Sequence, residues 1–145
     1  VGGEGLAVGT KPDGGYWTVG IEKPADSAMA ERKLKARVSL KDKALATSGN
    51  YRKYYIRDGV RYSHTLDPAS GYPVQHPLLS VTVLANDCAT ADAYATAFMV
   101  MGLERAKEFL EGADDLEAYF IYSGPEEELL THYSRGFAES LTEEY

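Results

Sequence analysis

An α+β fold with a largely antiparallel sheet, one main helix and a second short helix is predicted by three features of the sequence. Short runs rich in β-branched and aromatic residues, separated by turn residues, fill most of the chain up to Leu84. An Ala- and Met-rich run over residues 87–101 has the length and composition of a helix, and a shorter helical run follows over 103–110. Two more strand-like runs, 118–122 and 129–133, close the pattern. Strands grouped in this way, rather than alternating with helices, favour hairpin connections over parallel βαβ units.

The elements follow in order. Residues 16–21 are aromatic and β-branched and come after Asp13-Gly14-Gly15, a strand after a tight turn. Residues 24–32 are a polar connection. Residues 34–40 alternate Leu34, Ala36, Val38 and Leu40 with Lys35, Arg37 and Ser39, the period of a half-exposed strand. Lys41-Asp42-Lys43 turns the chain into a short strand at 44–47. Asp58-Gly59 between residues 54–56 and 60–64 is a hairpin signal. Residues 67–73 hold Asp, Pro, Ser and Gly throughout and form a loop. The apolar run 79–84 is a central strand. Asn86 or Asp87 supplies the helix N-cap, and Gly102 breaks the helix.

Composition bounds the function. With 145 residues, 44% of them hydrophobic, the chain forms one domain that can bury a core without disulfides. Cys88 is its one cysteine, so no intrachain disulfide exists. The 22 acidic residues outnumber 15 basic ones, giving a net charge of -7. Nucleic acid is excluded as a partner, because phosphate backbones are met by clustered Lys and Arg. No apolar run reaches the length of a membrane-spanning helix.

Three constellations hold residues suited to chemistry. His64 ends a hairpin strand and Asp67 opens the Pro/Gly loop after it. This pair reads either as a general base with its neighbour or as a sheet-capping His beside a turn-initiating Asp. Asp92 and Thr96 are one helical turn apart and share a face. A carboxylate with a hydroxyl suits a hard cation such as Mg2+, and the same pair also fits an exposed residue beside a core filler. Thr47-Ser48-Gly49-Asn50, leading to Tyr54 and Tyr55, offers small residues for a phosphate and rings for stacking, or else a plain strand-ending turn. Gly2-Gly3-Glu4 has a similar character. His76 and His132 have no partner at metal-ligand spacing, and Glu126-Glu127-Glu128 and Glu143-Glu144 read as solvated surface.

In this order the segments resemble the FAD:protein FMN transferase family, also called the ApbE or thiamine-biosynthesis lipoprotein family. The matching pieces are Val1-Gly2-Gly3-Glu4, Trp17-Thr18-Val19-Gly20-Ile21-Glu22-Lys23-Pro24, residues 46–51, and His64-Thr65-Leu66-Asp67-Pro68-Ala69-Ser70-Gly71-Tyr72-Pro73. Residues 80–83, residues 88–102 around Ala91-Asp92-Ala93-Tyr94-Ala95-Thr96-Ala97, and Tyr133-Ser134-Arg135-Gly136-Phe137 complete the set. Each piece is modest alone; their order makes them specific.

The resemblance implies a T-fold-like architecture and a Mg2+-dependent enzyme that cleaves the FAD pyrophosphate. FMN passes to a Thr or Ser hydroxyl of a flavin-accepting electron-transport protein, and AMP leaves. Asp92 and Thr96 are then expected as metal ligands, His64 as the base and Asp67 as the residue holding its loop. Gly3, Glu4, Ile21, Glu22, Ser48, Gly49 and Tyr54 are expected to line the flavin and adenine pocket. Alternatives are an FAD pyrophosphatase yielding FMN and AMP, and a catalytically incomplete flavin-binding fragment. Family members are longer, with the additional part before Val1, so the chain is expected to be a C-terminal portion. They are usually periplasmic or at the cell surface, held to the membrane by a lipid anchor that lies outside this chain.

Overall fold

The computed structural model describes residues 3–24, 33–50, 54–57, 60–63 and 65–145, with 54–57 and 60–63 described as backbone. In chain order the elements are β1 (Glu4–Ala7), β2 (Trp17–Glu22), β3 (Leu34–Leu40), β4 (Lys43–Gly49), β5 (Tyr54–Arg57), β6 (Val60–Ser63) and β7 (Leu78–Ala85). Then come α1 (Cys88–Met101), α2 (Leu103–Leu110), β8 (Glu117–Ser123), β9 (Leu129–Tyr133), α3 (Arg135–Ser140) and β10 (Leu141–Glu144). The strands form a five-stranded sheet in the order β1-β4-β7-β8-β9, a three-stranded sheet β10-β3-β2, and the hairpin β5-β6. Every strand pairing is antiparallel. The expected α+β class with antiparallel pairing is therefore the observed one. The expected turn at Asp58-Gly59 and most of the connection 24–32 lie outside the described residues.

The apolar run that predicted a central strand is β7, third of five. It is apolar on both sides because both faces of the sheet are covered. On one face Ala44, Ala46, Val81, Val83, Ala85, Ala118 and Phe120 pack against Ala91, Ala95, Phe98 and Met99 of α1. On the other, Leu45, Leu84, Tyr119 and Ile121 pack against Ile21, Ala36, Val38 and Leu40 of the smaller sheet and Phe137 of α3. The result is three layers: helices, five-stranded sheet, three-stranded sheet. Between the sheets, the Thr47 and Thr82 hydroxyls satisfy each other at 2.8 Å.

Asp87 caps α1: its Oδ1 accepts from the Thr90 N–H at 2.9 Å and its Oδ2 from the Thr90 hydroxyl at 2.7 Å. Those bonds, the backbone one foremost, hold its carboxyl below the ordinary carboxylate range. Gly102 has φ 78°, a left-handed value suited to glycine, and it ends α1 with its N–H on the Phe98 carbonyl at 3.0 Å.

The C-terminus corrects one expectation. The chain does not end on two strands, since α3 and β10 follow β9. Glu143 and Glu144 are not merely solvated: Glu143 pairs with Arg37 at 2.9 Å, and Glu144 Oε1 accepts from the Tyr119 and Thr131 hydroxyls, each at 2.7 Å. A short acidic strand has no apolar period to announce it, and its partner β3 is remote in sequence. Strand β1, which opens among glycines, was equally silent.

Phe98 is fully buried at the centre of the helical layer, against Phe120, Tyr94 and Phe109. Phe98→Ala should lower stability by about 3–5 kcal/mol, because the ring leaves a cavity as well as lost transfer energy. Denaturant unfolding of the two proteins checks this, with an unchanged midpoint contradicting the packing described.

Candidate functional site

The helix α1 orients its exposed Asp92–Thr96 face through its buried one. Ala91 and Ala95 are fully buried against the sheet, and Asp92 and Thr96 each follow them by one residue. One residue of α-helix is a rotation of about 100°. Both side chains are therefore turned out of the packing and stand one turn apart on an exposed face. Alanines on the buried side let the helix lie close to Ala44 and Ala46 of β4.

This closeness brings β4 into the site. Ala44, Ala46 and Ser48 occupy alternate positions of β4 and share the face under α1. The Ser48 hydroxyl lies 3.1 Å from the Thr96 hydroxyl, close enough for a hydrogen bond in either direction. On the edge strand β1, Glu4 pairs in register with Ala46 and so belongs to the same face of the sheet. Gly3 has φ 113°, in the region that favours glycine, and a Cβ there would point to the Thr47 carbonyl oxygen at 3.7 Å. Gly49 stands opposite Ser80 at the end of β4, where Asn50 takes over: its Nδ2 donates to the Leu78 carbonyl at 2.9 Å.

Asp92 and Thr96 offer hard oxygen donors, and among the described residues no hydrogen bond or ion pair engages the Asp92 carboxylate. That donor chemistry fits Mg2+, which takes one or two protein carboxylates and completes its shell with water and phosphate oxygens. Among the described residues no group of three or more His, Cys, Asp and Glu side chains forms a metal cluster. Phosphate oxygens complete such a shell without one.

Asp67 organises the loop before β7. Its Oδ1 accepts from the Ala69 N–H at 3.0 Å, its backbone carbonyl from Gly71 at 2.7 Å, and its own N–H donates to the Tyr72 carbonyl at 2.9 Å. The Ala69 N–H, then the Ser70 side chain, hold its carboxyl below the ordinary value of 3.8. The loop lines a cleft of about 530 Å³ with Asp67, Ser70, Tyr72, His76 and Val100 around it. A larger cleft, about 710 Å³, lies between Lys107 of α2 and His132 and Arg135 at the β9–α3 junction, and none of the sequence-predicted site residues lines it.

The remaining sequence-predicted residues are distributed differently. Ile21 is 2% exposed and packs between the two sheets, on the layer opposite α1. Glu22, next along β2, is half-buried in register with Leu34. The structure thus groups Ser48, Asp92 and Thr96, with Glu4 on the same sheet face, and assigns Ile21 to the core. Tyr54 stands opposite Ser63 in the β5-β6 ladder, its side chain outside the described residues. His64 also lies outside them.

One residue the sequence set aside is engaged here. His76 Nε2 lies 2.8 Å from the carbonyl oxygen of Met99 in the last turn of α1. Its local sequence, Gln75-His76-Pro77, gives no hint of a partner in a helix 23 residues on.

Because Asp67 is more acidic in the folded chain, its contribution to loop order is fully present above 3.8 and is lost as pH falls through the lowered value. Carboxyl-carbon NMR should show Asp67 titrating below 3.8, and Asp67→Ala should speed hydrogen exchange at Ala69 while leaving β7 protected. A titration at or above 3.8 would contradict the capped loop.

The ApbE family model matches residues 1–120. An FAD:protein FMN transferase from Vibrio cholerae serotype O1 is 45% identical over 111 residues, covering 77% of this chain and 32% of the relative. One from Haemophilus influenzae is 40% identical over 121 residues, covering 83% of this chain and 34% of the relative. Among solved structures, the flavin transferase ApbE from Vibrio cholerae matches with a TM-score of 0.78 and 37% identity, over 97% of this chain and 43% of that one. An ApbE protein from Thermotoga maritima matches with a TM-score of 0.80 and 33% identity, over 98% and 43%. The chain thus spans about a third of the length of the curated relatives it matches. On the family match across residues 1–120, the chain belongs to the ApbE family.

Proposed function

We propose that this chain is the part of an FAD:protein FMN transferase that holds the metal-binding helix and the loop beside the reacting phosphate. The observation that carries this reading is the Ser48–Thr96 contact at 3.1 Å, which joins two segments that resembled the family separately. The names of the relatives above supply the reaction: FMN is transferred from FAD to a protein. In the proposed form, a Thr or Ser oxygen of the acceptor forms a bond to the FMN phosphorus. The bridging bond to the AMP phosphate breaks, and AMP departs with the electron pair.

Asp92 and Thr96 would hold Mg2+, which in phosphoryl transfer offsets charge on the phosphates. The chain is acidic overall, at -7, and the FAD pyrophosphate is anionic, so bare association is unfavourable. Ser48 bonds the Thr96 hydroxyl and limits its rotamers. His64 would take the proton of the acceptor hydroxyl, since an alcohol is a weak nucleophile near neutral pH. Asp67 holds the loop that follows His64 through the bonds to Ala69, Gly71 and Tyr72. Glu4, Gly3, Ser48 and Gly49 supply the adjoining sheet edge for the flavin nucleotide, and Tyr54 a ring for stacking. Export to the periplasm or cell surface, with a lipid anchor elsewhere in the protein, belongs to the same proposal.

A second reading has its own support. Because the chain spans about a third of its curated relatives, the chain by itself fits a flavin-binding part that needs the remainder to turn over. Mass spectrometry of an acceptor domain incubated with FAD and Mg2+ separates these readings. The transferase reading predicts one FMN added to the acceptor, and a fall of at least about 100-fold with Asp92→Ala. Undiminished transfer by Asp92→Ala would overturn the metal assignment. AMP and free FMN without acceptor would favour hydrolysis, and no AMP under any condition the incomplete part.

A further inference from the structure

We propose that His76 is a positioning residue that clamps the Asp67 loop to the C-terminal turn of α1. The inference rests on the reading above only in that it takes this loop and the Asp92–Thr96 face to serve one reaction. The last carbonyls of a helix have no partner within it. In α1, Phe98 finds the Gly102 N–H at 3.0 Å, whereas Met99 is met from outside by His76 Nε2 at 2.8 Å. A carbonyl oxygen can only accept, so His76 Nε2 carries a proton and donates it to Met99.

The anchor is rigid on the helix side. Met99 is 1% exposed and belongs to the packed layer with Phe98 and Ala95. The ring also fits against Gly102: a Cβ at that position would stand 3.2 Å from His76 Cδ2. Gly102 therefore does two things, ending α1 in a left-handed conformation and leaving room for the imidazole. On the loop side, His76 follows directly on the turn closed by Asp67 and the Val74-to-Thr65 backbone bond of 3.0 Å. It lines the same cleft as Asp67, Tyr72 and Val100.

Two consequences follow for geometry. Met99 lies two turns beyond Asp92 on α1, about 10 Å along the axis. A bond at that point fixes the distance between the loop and the Asp92–Thr96 face without touching either residue. His76 Nδ1 is buried and makes no hydrogen bond among the described residues, so the ring contributes one directed bond here rather than a network.

The test compares His76→Phe, which keeps the ring and loses the donor, with His76→Gln, whose amide nitrogen can reach the Met99 carbonyl. In hydrogen exchange, His76→Phe should speed the Gly71 and Val74 amides about tenfold relative to the unsubstituted chain, while β7 and β8 amides stay as they are. His76→Gln should restore them. In the acceptor-flavinylation assay, His76→Phe should lower kcat about tenfold with KM for FAD little changed, and His76→Gln should recover most of it. Equal loop exchange in His76→Phe and the unsubstituted chain overturns the clamp, and an unchanged kcat overturns its positioning role in the reaction. A merely structural role is separated by the Gln rescue and by the kcat-against-KM split. If the unsubstituted chain transfers no flavin, that counts against the transferase reading alone, because the exchange result decides the clamp.

Discussion

The close packing of α1 on β4 and β7 is the constraint on which the rest of the structure depends. Fully buried alanines on both sides, Ala91 and Ala95 from the helix and Ala44 and Ala46 from the strand, remove the side-chain volume that would hold them apart. Phe98 and Met99 then fill the space further along the helix. Once that stripe is fixed, the rotation of α1 is fixed, and Asp92 and Thr96 have one direction available to them. The same approach sets Ser48 within reach of Thr96. Core packing and site geometry are consequently one property seen from two sides.

The three layers divide the labour. The helical layer and the face of β4 below it hold the polar groups suited to a phosphate-bound cation, while the opposite layer is apolar interior closed by Phe137 and Ile21. The C-terminal segment seals that second layer. Glu117 of β8 accepts from Ser134 and from the Phe137 N–H, at 3.1 Å for the latter, and so caps α3 from a distant strand. Glu144 joins Tyr119 and Thr131, and burial and the neighbouring carboxylate push the Tyr119 phenol far up. These contacts support the sheet from behind and leave the α1 face free.

Legibility in the sequence follows the range of the interactions. The alternation at 34–40, the Asp87 cap and the Gly102 break are local, and each is observed as β3, the α1 cap and the α1 terminus. The i,i+4 spacing of Asp92 and Thr96 likewise needed only helix geometry. What escaped was non-local. The cap of α3 comes from Glu117, the strand β10 exists through its ladder with β3, and His76 finds Met99 across a strand and a helix. Ile21 shows the converse: a segment that resembled a binding motif as a unit contains a residue whose strand parity turns it into the core. The family resemblance supplied the order of the pieces, and the antiparallel ladders and helix packing supplied their juxtaposition.

In the proposed reaction the α1 face would meet the FAD phosphates through a cation, and titrating this chain with FAD, with and without Mg2+ and followed by flavin fluorescence, tests this. Binding should tighten when Mg2+ is added, and Asp92→Asn should lose that Mg2+ dependence. FAD binding that is the same with and without Mg2+ would contradict it.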